Sequence, residues 1–187
     1  MEQKLEGKKV AILVTHGFEQ SEFEMPYETL LKEGAQVDVV SLEKGKIKAW
    51  KDRNWSDVFE ANVAIEDASC ENYDALVLPG GVLNADKLRV NDNAVTFAGC
   101  FLELGKPIAA ICHGPWLLVE TGKLEKRRMT SHRSIKTDLI NAGAEWYDEE
   151  VVVDEGLVTS RGPKDLDAFC KKMVEQIREG IHQHHHH

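Results

Sequence analysis

Short apolar runs bounded by polar turns recur along this chain with segments of helical periodicity between them, the alternation expected of strands and helices built around a parallel sheet. Lys9 to Val14 reads as a first strand, followed by a loop through Thr15, His16 and Gly17 and a helix over Ser21 to Lys32 that Gly34 stops. Gln36 to Leu42 is the next strand. From Gly45 to Ala68 the pattern weakens into shorter pieces, read as a hairpin containing Ile47 to Trp50 and Ala61 to Ile65. Tyr73 to Leu78 is a strand running into the tight loop Pro79-Gly80-Gly81. A helix lies between Asn93 and Leu104, stopped by Gly105. The strand that follows delivers Cys112, and Trp116 to Glu120 is a short helix. Ser134 to Asn141 is another, ended by Gly143. Val151 to Val153, Asp154 to Gly156 and Leu157 to Ser160 read as strand, turn and strand, and Leu166 to Arg178 as a final helix behind Asp165. The fold class is α/β: a mostly parallel central sheet with helices on both faces, in a single domain over residues 1–181.

One corner of this pattern carries chemistry. Pro107 to Ile111 turns abruptly into the helix after Pro115, and Cys112 stands at the turn. A nucleophile elbow needs small residues two positions to either side, where the backbone crowds itself, and Ala110 and Gly114 occupy those places. A cysteine at a helix N-terminus is expected to favour its reactive thiolate. His113 follows directly as a candidate to accept or donate a proton. The competing reading makes Cys112 one more small core residue, because free cysteines are commonly buried.

In open parallel sheets the ligand crevice lies beyond the carboxyl ends of the strands, so Gly17 to Glu22, Gly80 to Asp86 and Cys112 to His113 are expected to converge. Glu22 shares its stretch with Glu19 and Glu24, where first-turn acids also serve the helix dipole. Placed beside the thiol and partly buried, its carboxyl keeps its proton and donates a hydrogen bond to sulfur. The Gly81 and His113 amides are candidates for an oxyanion hole, the alternative being a plain tight turn. No glycine-rich phosphate loop follows the first strand.

A length of 187 residues is enough for a full core without staples. The net charge of −9 argues against a nucleic-acid surface; Lys123, Lys126, Arg127 and Arg128 are read as a solvated loop. Cys70, Cys100, Cys112 and Cys170 have neither zinc-ligand nor disulfide-framework spacing, so reduced thiols and no metal are expected. No run is long enough to span a membrane and no signal peptide opens the chain, which suggests a cytoplasmic protein. His182 to His187 has the composition of an expression tag and is excluded from metal-site reasoning. His16 is read as a loop residue near the pocket by topology alone. Trp50 and Trp55 fit either oligomer contacts or local core.

Ala110 to Pro115, together with Leu78 to Gly81, Leu139 to Ala144 and Val158 to Arg161, resembles the PfpI family, named for intracellular proteases and part of the superfamily of the Parkinson-associated protein deglycase. The resemblance runs from about Lys8 to Gln176. It implies a flavodoxin-like three-layer sandwich and a homo-oligomer, at least a dimer. It also implies Cys112 as nucleophile, His113 as its base and oxyanion donor, and Glu22 as the protonated acid at the thiol. Proteases of the family complete a triad with a glutamate lent by a neighbouring subunit, and Asp86 stands in the matching segment, one methylene shorter. His132 matches a position where protease relatives carry a tyrosine facing the site, to bind substrate or relay a proton; a plain surface histidine is the alternative. The leading expectation is a cofactor-free cysteine enzyme acting on glyoxal or methylglyoxal, or on their early adducts with protein, through a hemithioacetal at Cys112. Peptide hydrolysis through an acyl-cysteine and a redox-sensing stress protein or chaperone are the alternatives.

Overall fold

The computed structural model describes residues 2–182, and the tail beyond His182 lies outside the described residues. The elements follow in chain order. β1 (Lys9–Leu13), α1 (Gln20–Lys32) and β2 (Gln36–Ser41) come first, then β3 (Gly45–Lys51), β4 (Asn54–Ala61), β5 (Val63–Ala64) and β6 (Ala75–Leu78). α2 (Val82–Arg89), α3 (Asp92–Leu104), β7 (Ile108–Ile111), α4 (Trp116–Val119) and β8 (Arg128–Met129) follow. α5 (Lys136–Asn141), β9 (Glu145–Trp146), β10 (Val152–Asp154), β11 (Leu157–Ser160) and α6 (Leu166–Glu179) complete the chain.

Seven strands form one sheet in the order β10-β11-β7-β6-β1-β2-β5, parallel throughout except where β10 pairs antiparallel with β11. The period-two geometry of a strand sends alternate residues to opposite faces. Val10, Ile12, Val77, Ala109 and Ile111 therefore face one layer, packed on Phe23 and Leu30 of α1 and on Phe169, Met173 and Ile177 of α6. Ala11, Leu13, Leu76, Leu78 and Ala110 face the other, packed on Phe97 and Phe101 of α3, Leu117 and Leu118 of α4 and Leu139 of α5. Because both faces are covered, the strand residues are apolar at nearly every position, as parallel sheets require. The result is the parallel α/β sheet that the alternation pattern foretold, in the flavodoxin-like sandwich that the family resemblance implied.

Several boundaries differ from the sequence reading. The hairpin pairs Gly45–Lys51 with Asn54–Ala61, and its tip carries Asp52 and Arg53 at positive φ, a turn without glycine that no dipeptide signals. The segment Gly80 to Asp86, read as a loop, turns into α2 (Val82–Arg89) after its two glycines. Arg127 is not a solvated loop residue: it is 6% exposed, and its guanidinium donates to Asp154 Oδ2 at 2.9 Å and to the Asp154 carbonyl at 2.7 Å. Packing of β8, which it precedes, against β10 and β11 encloses it. The expectation of four reduced thiols fails for Cys70 and Cys100, which the structure joins with their Cα atoms 6.3 Å apart. One sits in a 3₁₀ turn before β6 and the other on α3, a proximity created by packing that sequence spacing does not encode.

Burial opposes ionisation of Asp154, yet the contacts with Arg127 and Arg128 outweigh it and hold the carboxyl below its ordinary range. Asp154→Ala leaves the Arg127 charge buried without that carboxylate and is expected to lower unfolding free energy by about 3–5 kcal/mol in denaturant titrations near neutral pH. A change below 1 kcal/mol would show the pair to be a spectator of folding.

Candidate active site

Three chain segments end at the carboxyl edge of the sheet where the direction of strand addition reverses, between β1 and β6. Asn84, fully buried on α2, ties two of them together. Its Oδ1 accepts from the Thr15 amide at 2.7 Å, and its side-chain nitrogen donates to the Pro79 and Gly80 carbonyls at 3.1 and 3.0 Å. The third segment is the turn at Cys112, which adopts φ 63°, a left-handed conformation uncommon for a side chain with a Cβ. Its amide donates to the Ser160 carbonyl at 3.0 Å and its own carbonyl accepts from the His132 amide at 2.8 Å, so the turn is held from both sides. Strain of this kind persists where its surroundings over-determine it, and it clusters at functional positions. A Cβ at Gly114 would meet the Leu78 carbonyl oxygen, which explains the small residue demanded there.

Glu22 lies on the first turn of α1 and is fully buried. Its Oε1 accepts from the Gly80 amide at 2.9 Å, while Oε2 is buried without a conventional hydrogen-bond partner. The polar group beside that carboxyl is the Cys112 thiol. Gly80 permits this approach: a Cβ there would sit 2.7 Å from Cys112 Cβ and against Glu22 Oε1. Burial, reinforced by Glu19, raises the Glu22 carboxyl to about 8, so it keeps its proton at neutral pH. A proton on Oε2, donated to sulfur, satisfies the otherwise orphaned oxygen.

Cys112 is 8% exposed, and the resting thiolate expected from a helix terminus does not follow. Burial pushes the thiol well up and an ionised Glu22 would push it further, against the opposing pull of the His113 and Gly81 amides directed at sulfur. α4 is only four residues long and starts beyond Pro115, too short and too distant to offset desolvation. His113 is buried as well. Desolvation, with His132 adding to it, lowers its imidazole to about 4. Cys112 Sγ lies 3.3 Å from His113 Nδ1, so the resting pair is a neutral thiol beside a neutral imidazole.

The other ring nitrogen, Nε2, lies 2.8 Å from Ser134 Oγ, and His132 stacks on His113 with ring centroids 4.5 Å apart. These groups open onto a cavity of about 560 Å³ whose walls include Gly17, Glu19, Trp50, Gly81, Leu83 and Pro163. Among the described residues, no group of three metal-ligating side chains converges anywhere, and no helix is long and apolar enough to cross a membrane.

Residues 8–176 match the model of the DJ-1/PfpI family. The chain belongs to the DJ-1/PfpI family. It is 43% identical over 172 residues to "Protein/nucleic acid deglycase 2" of Escherichia coli, covering 91% of this chain and 98% of that one. It is 41% identical over 172 residues to "Putative cysteine protease YraA" of Bacillus subtilis, covering 92% and 99%. Among solved structures, Schizosaccharomyces pombe DJ-1 superposes with a TM-score of 0.80 at 27% identity, covering 90% of each chain.

Within this DJ-1/PfpI domain the structure gathers Glu22, Gly81, Cys112, His113 and His132 around one cavity. Asp86 is not among them. It is exposed on α2, and both His113 ring nitrogens are engaged with Cys112 and Ser134. His16 is exposed, with Nδ1 accepting from the Lys48 amide at 3.1 Å, and Trp50 is a cavity wall packed edge-on against Trp55 at 5.3 Å. Sequence reasoning passed over Asn84 and Ser134. Neither carries a motif, and a serine two residues after a histidine has no spacing rule, although Asn84 at the head of a segment after a Gly-Gly turn was open to suspicion as a loop tie.

Because folding raises the Glu22 carboxyl above its unfolded value, the folded state binds its proton more tightly. Stability therefore falls as pH rises from about 4.5 to about 8, and the penalty is complete above that window. Glu22→Gln mimics the protonated form. It is expected to gain stability relative to wild type progressively through the same window, by several kcal/mol on the order-of-magnitude scale of such shifts. Denaturation midpoints at a series of pH values check this, and parallel curves for the two proteins would refute a buried neutral Glu22.

Proposed function

We propose that this protein is a cofactor-independent cysteine enzyme of the deglycase type, acting on glyoxal or methylglyoxal and on their early adducts with protein. The observation that carries the reading is the neutral triplet at the cavity floor: a Cys112 thiol 3.3 Å from an unprotonated His113 nitrogen, with a Glu22 carboxyl that keeps its proton beside the sulfur. The relative named a deglycase in Escherichia coli, matched over nearly its whole length, supports it.

In this reading the sulfur attacks the aldehyde carbon as its proton passes to His113 Nδ1, so one S–C bond forms and the carbonyl pair moves onto oxygen. The Gly81 and His113 amides receive that oxyanion, and Glu22 holds the sulfur in place with its own hydrogen bond. Return of the His113 proton to the oxyanion gives the hemithioacetal. For methylglyoxal, His113 then removes the hydrogen from the former aldehyde carbon, and protonation of the neighbouring carbon leaves a lactoyl thioester. Water cleaves the thioester to lactate and restores the thiol. The aldehyde carbon is oxidised and the ketone carbon reduced within one molecule, so no external electron acceptor enters. An adduct on an amine would offer its carbinol carbon to the same thiol, with the amine as leaving group.

Peptide hydrolysis through an acyl-Cys112 is the second reading, supported by the name of the Bacillus subtilis relative. It asks for an acid partner to His113, and with Asp86 exposed on its own chain it requires the homo-oligomer to supply that acid.

Lactate formation from methylglyoxal by reduced, tag-free protein is expected to vanish in Cys112→Ala, a loss of at least 10³-fold on the scale of removing a covalent nucleophile. Asp86→Asn is expected to keep it within about 3-fold, a change of less than 1 kcal/mol in barrier. Absence of lactate from folded wild type, with casein cleaved and the cleavage abolished by Asp86→Asn, would replace the proposal with the peptidase reading.

A further inference from the structure

We propose that Ser134 is the positioning residue of the reacting pair: bridging His113 and His132, its hydroxyl fixes the His113 tautomer that leaves Nδ1 bare toward the Cys112 thiol. The inference rests on Cys112 and His113 being the groups that react.

The assignment follows from counting hydrogens. The backbone amide of Ser134 donates to His132 Nδ1 at 3.1 Å, capping the 3₁₀ turn that begins at Arg133. An amide can only donate, so His132 Nδ1 carries a lone pair and that ring's hydrogen is on Nε2. Ser134 Oγ lies 2.8 Å from the same Nδ1, and since that nitrogen has no hydrogen to give, a hydrogen bond at this contact is one in which the hydroxyl donates and shares the lone pair with the amide. Serine has one hydroxyl hydrogen, now committed. The 2.8 Å contact between Ser134 Oγ and His113 Nε2 is then made by a hydrogen on Nε2. A neutral imidazole with Nε2–H has a bare Nδ1, and Nδ1 is the atom 3.3 Å from Cys112 Sγ. In this arrangement the direction of each bond from the backbone to the sulfur follows from one amide. The opposite tautomer would point an N–H at the thiol and abolish the base.

The same count assigns a place to His132 that its position at the cavity wall does not reveal. It is the acceptor that keeps the serine hydroxyl turned away from His113. With that acceptor removed, the hydroxyl is free to donate to His113 Nε2 and to favour the unproductive tautomer. The chain thereby holds in one short turn an orienting device for its histidine, in the place where a triad puts an acid.

The test reads the tautomer itself. Long-range ¹H–¹⁵N correlation spectra of the full chain at pH 7 are expected to show His113 with a protonated Nε2 and an unprotonated Nδ1. His132→Phe, which keeps a stacking ring but no acceptor, is expected to shift His113 toward Nδ1–H. Ser134→Ala is expected to leave a mixture of the two, and Ser134→Thr to restore the wild-type pattern. In parallel, alkylation of Cys112 by iodoacetamide and kcat for methylglyoxal are each expected to fall roughly 5-fold in Ser134→Ala, the worth of one neutral hydrogen bond, with KM unchanged. Ser134→Thr is expected to recover both. A wild-type His113 protonated at Nδ1 overturns the proposal without any variant, and so does a Ser134→Ala protein with wild-type tautomer and alkylation rate. Failure of the dicarbonyl assay alone removes the proposed activity, and the tautomer and alkylation rates still decide the role of Ser134.

Discussion

A carboxyl group with no exposed surface stands at the point where the sheet reverses its order of strands, and the neighbourhood is organised around keeping it neutral. Glu22 is held by one backbone amide from Gly80 and faces a sulfur rather than a cation. Among the described residues no arginine or lysine contributes to its charge state, so the cost of desolvating an anion falls on its protonation state. The same shortage of countercharge governs the rest of the cluster. Burial lowers the imidazole of His113 and raises the thiol of Cys112, and in the resting site none of the three groups bears a charge. Reactivity is therefore not stored as a thiolate. In the proposed reaction it would be created at the moment of attack, by proton transfer between a sulfur and a nitrogen 3.3 Å apart, with the amides aimed at the sulfur available to the charge on the substrate oxygen.

The architecture was legible wherever two faces of the sheet had to be covered. Runs such as Val10 to Val14 and Ile108 to Ile111 are apolar at every position because each neighbour packs on a different layer, and the crowding at the elbow is written in Ala110 and Gly114. Cys112, His113 and Glu22 were legible for a chemical reason, as residue types that need one another beyond the carboxyl ends of strands in one sheet. What escaped the sequence is what tertiary packing alone decides. The inward turn of Arg127 onto Asp154 looks in the sequence like any basic cluster. The proximity of Cys70 and Cys100 spans 30 residues with no spacing rule. The helix that carries Asp86 outward follows a Gly-Gly turn without a side-chain cap, so its start had no signal. Ser134 was invisible for another reason, since its part depends on which nitrogen of each histidine faces its hydroxyl.

The sheet and the turn after β7 deliver the thiol, while other segments furnish the surroundings of the histidine and the wall of the cavity. In this chain the β3–β4 hairpin contributes Trp50 to that wall, and a short turn after β8 contributes Ser134 and His132.

Asn84 gives the cavity a mechanical character. By binding the Thr15 amide with one end of its side chain and the Pro79 and Gly80 carbonyls with the other, it locks the segment bearing Glu22 to the one bearing Gly81. Neither can open without breaking buried hydrogen bonds. The recess is rigid before anything enters it, so a reactant meets a finished shape and little ordering entropy is lost on arrival. For the proposed reaction, such a pocket would select by size and reach rather than by folding around its guest.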